Sequence, residues 1–130
     1  MTELIVFRSR GLGEARAEVV RGECPATADA VLRALPLRGR ARRWGEEVYF
    51  RVPLALPEEN SRVEVRVGEV AYWPEGQCIC VFFGRTPSST DGEPRAYSPV
   101  NVFARLVDDP AKFRSVRSGE VIALERAWAP

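Results

Sequence analysis

With 130 residues, of which 45% are hydrophobic and 28% charged, the chain has the size and composition of one soluble globular domain over residues 1–130. A net charge of +1 argues against a protein that binds nucleic acid mainly through phosphate contacts, because such proteins carry uncompensated positive charge. The chain contains no histidine, which excludes histidine acid–base catalysis and histidine metal ligation.

The first elements that the pattern predicts are a β-hairpin and a helix. Residues 4–7 form an apolar run, residues 14–20 alternate apolar and charged side chains, and the glycines of residues 11–13 favour a turn between them. Apolar residues then recur at steps of three and four over residues 25–35, before Pro36. This spacing predicts one amphipathic helix after the hairpin.

The rest of the chain is predicted to be mostly β structure. Alternating or dense apolar residues indicate strands over residues 37–44, 47–52, 63–67, 70–73, 78–83, 100–107 and 121–124. Residues 85–98 are rich in Pro, Ser, Gly and Thr, which predicts a surface loop of the length that often carries function. Asp109 and Pro110 favour the start of a short helix that ends near Val116. About eight short strands with one or two helices favour a barrel or a sandwich.

Four segments of the chain carry a family resemblance. They read WGEEVYF at residues 44–50, VGEVAYWPEG at 67–76, VFFGRTP at 81–87 and SPVNV at 98–102. In order and spacing these motifs resemble the small prokaryotic cyclophilin-like family, whose members are stand-alone domains of about this length. The resemblance implies an all-β fold, a closed eight-stranded antiparallel β-barrel with one or two short helices and with the loop 85–98 at its rim.

The resemblance implies a fold related to that of the cyclophilins, which raises the question of prolyl isomerase activity. An isomerase binds the twisted X-Pro amide through a donor placed in an apolar groove. The resemblance sets the Phe-His-Arg motif of true cyclophilins against residues 47–51, which read EVYFR here. Arg51 is one or two positions away from the expected place, and a slip of one residue turns a side chain to the other face of a strand. The catalytic set therefore does not transfer, and Arg85 is a substitute donor only if the groove is rearranged.

The candidate ligand-binding residues are the aromatic and polar side chains of the four motifs. Aromatic residues on strands are usually core residues, but at a barrel mouth they also line pockets that hold a few polar groups. The candidates are Trp44, Glu46, Tyr49, Tyr72, Trp73, Phe82, Phe83, Arg85, Ser98 and Asn101. We expect a non-enzymatic module that binds a small molecule or a proline-containing peptide at the barrel mouth. The alternative is an enzyme, either a divergent prolyl isomerase or a subunit akin to cyclophilin-like amide-hydrolysing enzymes.

Other chemistries leave weaker signals in the sequence. Cys78 and Cys80 lie on one face of a strand, and with Cys24 they could bind a soft metal. The lack of histidine and of a Cys-x-x-Cys pair disfavours both a metal site and a nucleophilic cysteine, so we expect reduced, buried thiols and no metal. The arginines of residues 38–43 could contact phosphates, but their alternation favours a solvated strand face.

The remaining features indicate where the protein resides and what it does not carry. No stretch approaches the roughly 20 apolar residues that span a bilayer, and the N-terminus is acidic where a signal peptide would be basic. The glycines of residues 11–13 lack the third glycine of a dinucleotide-binding motif. We therefore expect a cytoplasmic protein with no cofactor, no membrane contact and no nucleic-acid partner.

Overall fold

A computed structural model describes residues 3–127 of the chain. Its elements are β1 (Leu4–Ser9), β2 (Gly13–Val19), α1 (Pro25–Ala34), β3 (Leu37–Arg40), β4 (Arg42–Arg43), β5 (Glu47–Arg51), β6 (Arg62–Glu64), β7 (Glu69–Trp73), β8 (Cys78–Phe82), β9 (Arg95–Leu106), a 3₁₀ helix (Pro110–Ser115) and β10 (Val121–Ala127). The predicted mainly β fold with few helices is confirmed. None of the helices in this range is long and apolar enough to cross a membrane.

The strands form one antiparallel sheet. Hydrogen bonding follows the order β3-β10-β1-β2-β9-β7-β8-β5-β4, and the short strand β6 pairs with β9 beside this path. The predicted hairpin is β1 with β2, in which Phe7 lies opposite Ala15. The predicted helix is α1, and the predicted short helix after Asp109 has 3₁₀ geometry, with the Asp109 carboxylate accepting the backbone N–H of Ala111 at 2.9 Å.

The sheet differs from the expected closed eight-stranded barrel in strand number and in closure. Residues 3–127 contain ten strands, and no ladder joins the ends of the path, β3 and β4. The single strand predicted over residues 37–44 breaks at Ala41, whose backbone bonds with Glu120 and Gly119. Because β3 then pairs with β10 and β4 with β5, the two ends of the sheet are consecutive in the chain. The sheet is therefore barrel-like without a continuous ladder around it.

The surface loop predicted over residues 85–98 is shorter than expected, because β9 already begins at Arg95. The first half of β9 pairs with the three-residue strand β6, with Glu64 opposite Arg95 and an irregular register. Pro99 lies in this half. A proline, which has no backbone N–H, is tolerated there because this half does not belong to a regular ladder with neighbouring strands on both sides. This polar, proline-containing segment is therefore a strand because it pairs with β6, and not because of its composition.

Apolar side chains pack on both faces of the sheet. The larger cluster fills the interior and includes Phe7, Phe50, Tyr72 and Phe103, all almost fully buried. A second, smaller cluster covers the opposite, outer face of β5, β7, β8 and β9; it comprises Val65, Ala71, Cys78, Cys80, Phe82, Ala96, Val100 and Val102. Alternation along the strands separates the two sets, since successive side chains point to opposite faces.

Candidate ligand-binding site

An aromatic pocket lies on the outer face of the sheet, beside the second cluster. Its volume is about 240 Å³, and its lining residues are Trp44, Glu47, Tyr49, Trp73, Ala96, Tyr97, Ser98 and Val100. Tyr49 and Trp73 pack against the second cluster, not against the interior. The pocket is therefore on the outside of the barrel-like sheet and not at its mouth, where the sequence predicts it.

Strand alternation places the wall on β5 and β7. Glu47 and Tyr49 lie on the outer face of β5, while the intervening Val48 points into the interior. Tyr49 lies opposite Cys80, and Trp73 lies opposite Cys78 on the other side of β8. The central strand β8 therefore holds these two rings on the same face of the sheet.

A tight turn before β5 brings Trp44 to the same pocket. The Trp44 N–H donates to the Glu47 carbonyl at 3.0 Å, and Gly45 between them has a φ of +60°. A Cβ at Gly45 would lie 3.0 Å from the Arg85 carbonyl oxygen, so a side chain is excluded by both conformation and space. This glycine lets the turn pack against the backbone that follows β8.

Four aromatic rings form a continuous edge-to-face series around the pocket. The ring centroids of Trp44 and Tyr97 are 5.9 Å apart, those of Tyr97 and Trp73 are 6.1 Å apart, and those of Trp73 and Tyr49 are 6.3 Å apart. The interplanar angles are 84°, 78° and 89°, which is the T-shaped geometry that aromatic pairs prefer. Tyr97 joins Trp44 to Trp73 in this series although it is 69% exposed.

One hydrogen bond connects the polar edge of Trp73 to β9. The indole Nε1–H donates to the Ser98 hydroxyl at 2.6 Å. A half-buried indole N–H needs an acceptor, so this bond fixes the orientation of the ring. Ser98 therefore orients a wall of the pocket.

Glu47 is the one charged residue among those that line the pocket. It is 5% exposed, and none of the ion pairs within residues 3–127 includes it. Burial raises the pKa of its carboxyl to about 7, and a hydrogen bond with the Cys80 side chain opposes part of that rise. The pocket thus contains a carboxyl group that titrates near neutral pH and lacks a cationic partner among the described residues.

The three cysteines are free and buried. Burial raises the pKa of Cys24 and of Cys78 to about 11. Burial also raises the pKa of Cys80 well above its ordinary value, and the charge of Glu47 adds to that effect. Because the thiolate is the nucleophile and the metal ligand, these raised pKa values disfavour both roles at neutral pH.

Comparison with known proteins places the fold in a family. A family model described as cyclophilin-like matches residues 5–125. The chain belongs to the cyclophilin-like family. The solution structure of the hypothetical protein AF2241 from Archaeoglobus fulgidus is 40% identical to this cyclophilin-like chain, and the match covers 97% of this chain and 95% of that one with a TM-score of 0.81. The resemblance that the four motifs carry is confirmed.

A second solved structure is related by fold alone. The structure of McbB in complex with tryptophan matches this cyclophilin-like chain at 16% identity and a TM-score of 0.72. The match covers 97% of this chain but 45% of that one, so McbB is a much longer protein. No curated protein matches the chain significantly.

Of the ten candidate site residues, the structure brings four to the pocket: Trp44, Tyr49, Trp73 and Ser98. Four others are buried elsewhere in this cyclophilin-like fold. Tyr72 lies in the interior, where its hydroxyl donates to the Leu54 carbonyl and accepts the Leu56 N–H. Phe83 stacks on Phe113 in the same core, with centroids 6.2 Å apart.

The other two buried candidates also serve packing and connection. Phe82 is fully buried in the second cluster, next to the pocket but not lining it. Asn101 is fully buried and links three parts of the fold: its amide donates to the Thr27 hydroxyl and to the Pro57 carbonyl, and its carbonyl accepts the Glu59 N–H, each at 3.0 Å. Through these hydrogen bonds Asn101 connects β9 to the start of α1 and to the segment before β6.

The last two candidates, Glu46 and Arg85, lie away from the pocket. Glu46 turns from its neighbour Glu47 and pairs with Arg114 at 3.1 Å. Arg85 is exposed, and its carbonyl accepts the Glu46 N–H at 2.8 Å. Both residues connect the turn before β5 to its surroundings.

Sequence reasoning missed Glu47, Ala96, Tyr97 and Val100. Glu47 could have been found, since its spacing of two from Tyr49 places both on one face of a strand. Tyr97 carried no such signal, because its segment has the composition of a loop. Only the pairing of β6 with β9 makes that segment a strand beside Trp73.

A larger, charged cleft of about 730 Å³ lies beside β6. Three of its four arginines already have carboxylate partners. Arg62 contacts Glu23 and Glu69, each at 2.9 Å, Arg105 contacts Glu69 at 3.7 Å, and Arg95 contacts Glu64 at 3.9 Å. Because these charges neutralise one another, the cleft is a weaker candidate for a ligand-binding site than the smaller aromatic pocket.

Proposed function

We propose that this cyclophilin-like protein is a non-enzymatic binding module whose aromatic pocket holds a small ligand with apolar surface. The observation that carries the proposal is the series of four edge-to-face rings around a cavity, which includes a tyrosine that is 69% exposed. Ligand pockets are typically concave and mostly aromatic or aliphatic, with a few fixed polar groups.

Tyr97 supports this function because its exposure costs the protein stability that a ligand restores. An aromatic ring is among the side chains that gain most from leaving water. Tyr97 packs edge to face with Trp44 and with Trp73, and all three rings line the same pocket. A ligand that fills this space buries the ring further without any change in the backbone.

The pocket gives less support to the isomerase alternative. Isomerisation needs a donor aimed at the amide nitrogen, and the two arginines considered for this role, Arg51 and Arg85, are exposed and do not line the pocket. Arg51 donates instead to the Gln77 side chain at 3.2 Å. The charged side chain that does line the pocket is a carboxyl group, which donates no hydrogen bond once it is ionised.

Chemical-shift mapping on isotope-labelled protein tests the proposal. We expect a panel of small organic molecules, including indole and dimethylbutanol, to give hits that shift the amides of Tyr49, Trp73 and Tyr97. Tyr97→Ala is expected to weaken the best hit by at least about tenfold, because one aromatic wall is lost. The same change should lower stability by no more than about 0.5 kcal/mol, because the side chain is mostly exposed.

Two matched variants control this experiment. Tyr97→Phe keeps the ring and should retain binding, whereas Val107→Ala changes another exposed apolar residue, 51% accessible, and should leave affinity unchanged. The absence of shifts at the pocket across the panel would overturn the proposed function. Faster cis/trans exchange of an X-Pro peptide in the presence of the protein would replace it with isomerase activity.

A further inference from the structure

We propose that the ligand of the aromatic pocket carries an alkylated ammonium group, held between the ring faces and the Glu47 carboxylate. The inference rests on the proposed function, since it names the class of small molecule that this pocket binds. The chemistry that recognises such a cation is present in full: several aromatic walls and one buried acid in a cavity of about 240 Å³.

The ring geometry favours a cation over a neutral apolar group. The face of an aromatic ring is negative and its edge positive, so cations bind over faces. Successive rings in the series stand at 78° to 89° to one another, which turns their faces in different directions around one space. A compact, rounded cation can contact several of these faces together, as a flat aromatic ligand cannot.

The charges that line the pocket also favour a cationic ligand. Glu47 is 5% exposed, and no arginine or lysine of residues 3–127 lines the pocket with it. A buried carboxylate without a partner is costly, and a bound cation would offset that cost. The pocket therefore offers a cation one buried carboxylate among its aromatic lining residues.

The apolar walls of the pocket favour an alkylated cation over a primary one. A primary ammonium presents three N–H donors and little carbon surface. Among the lining residues, Ala96 and Val100 offer only apolar surface, and the Ser98 hydroxyl already accepts the Trp73 indole N–H. Alkyl groups on the nitrogen replace N–H donors with carbon surface that contacts these walls and the aromatic rings.

Several titratable or charged groups lie near Glu47. From β8 it faces the Cys78 and Cys80 thiols, and burial raises the pKa of both. On its own strand it faces Tyr49, whose pKa is also raised by burial. Tyr97 lines the same pocket from β9, and Arg42 on β4 lies opposite Tyr49 without lining the pocket. Because ionisation of Glu47 adds a negative charge to the pocket, a cation bound near it is expected to bind more tightly as pH rises through neutrality.

Isothermal titration with choline and with dimethylbutanol tests the inference. In dimethylbutanol a carbon replaces the charged nitrogen, so the pair differs in charge and not in shape. We expect choline to bind at least about tenfold more tightly at about pH 8.5, and the preference to shrink at about pH 5.5, where Glu47 is protonated. Choline binding near neutral pH should release protons, which titrations in buffers of different ionisation enthalpy detect.

Two acid variants separate charge from shape. Glu47→Gln is expected to lose most of the preference for choline, because it keeps the side-chain volume and removes the charge, so that only the attraction between the cation and the ring faces remains. Glu46→Gln alters the adjacent acid, which pairs with Arg114 outside the pocket, and should keep the full preference for choline. The pH series on the unaltered protein gives the same test if Glu47→Gln folds poorly.

The outcomes distinguish this inference from the proposed function. Equal affinity for the two probes at about pH 8.5 overturns the cation but leaves a pocket for apolar ligands. A choline preference that survives undiminished in Glu47→Gln overturns the role of that carboxylate. A peptide with a trimethylated lysine that binds far more tightly than choline overturns the small-molecule occupant, and binding of neither probe, with no shifts from the panel, overturns both proposals.

Discussion

Burial of Glu47 lowers the stability of the folded protein and at the same time places a carboxyl group in the aromatic pocket. Burial raises the pKa of its carboxyl from an ordinary 4.5 to about 7, so the folded chain keeps a proton that the unfolded chain has released across this range. Since the unfolded state then binds fewer protons than the folded state, the free energy of unfolding falls as pH rises between these values. Above neutrality the folded protein carries a buried carboxylate that no ion pair within residues 3–127 neutralises.

We therefore predict that Glu47→Gln is increasingly stabilising, relative to the unaltered protein, as pH rises. The difference should be small near the ordinary pKa and should grow by up to about 3 kcal/mol above neutral pH, because a tenfold change in proton affinity corresponds to about 1.4 kcal/mol. Urea unfolding followed by tryptophan fluorescence at several pH values measures it. A difference that does not change with pH would mean that Glu47 is not buried as an acid.

Helix α1 is fixed by a residue that lies 32 positions further along the chain. Its N-cap, Cys24, makes no capping bond with its side chain. Glu59 caps the helix instead: its carboxylate accepts the Thr27 N–H at 2.8 Å and the Ala26 N–H at 3.1 Å. The pKa of Glu59 is lowered, although desolvation opposes this, because hydrogen bonds from Thr27 and Ala26 to the carboxylate together outweigh it.

Removal of this cap, in Glu59→Ala, is predicted to destabilise the protein by about 1–2 kcal/mol, the usual effect of losing a helix cap. Its contribution is present above the ordinary pKa and is lost as pH falls through the lowered one, so the variant and the parent should converge in acid. Thermal unfolding at neutral and acidic pH measures both effects. Glu75→Ala, at another acid on the surface, is the control, and an equal loss there would show that capping is not the cause.

The barrel-like sheet depends on a close approach between its two ends. An added Cβ on Gly39 of β3 would lie 2.8 Å from the Arg51 carbonyl oxygen of β5 and 3.3 Å from the Phe50 ring. This close approach brings β3, at one end of the strand order, against β5, the strand next to the other end, although no ladder runs between β3 and β4. The glycine is required for its lack of a side chain, and not for an unusual φ.

Gly39→Ala is accordingly predicted to destabilise the whole fold by about 1–3 kcal/mol, as overpacking does. Gly22→Ala is the matched control, because no atom lies within 4 Å of a Cβ there. It should leave the melting temperature unchanged or raise it slightly, through the lower entropy of the unfolded chain. Equal melting temperatures for the two variants would mean that the ends of the sheet do not meet at Gly39.

Local spacing was enough to predict α1, the hairpin of β1 and β2, and the strands β5, β7 and β8. These elements are recognisable by apolar periodicity and by glycines or prolines at their ends. The four motifs further identified the family. Sequence also placed Trp44, Tyr49 and Trp73 among the candidates, because aromatic residues are the usual material of pockets as well as of cores.

The location of the site was decided only by tertiary structure. Every side chain of β8 is buried, so the strand reads as one apolar run that does not tell which face is inside. Tyr72 and Trp73 are neighbours in β7, yet one fills the interior and the other lines the pocket. Tyr97 lines the same pocket because β6 pairs with the first half of β9, where Glu64 lies opposite Arg95 and Arg62 opposite Val100, segments that are distant in the chain. The sequence by itself determines which side chains are available. When a strand is covered on both sides, the sequence does not determine which of its side chains point to the interior, nor does it determine which strand a polar segment pairs with. Both follow only from how distant parts of the chain pack.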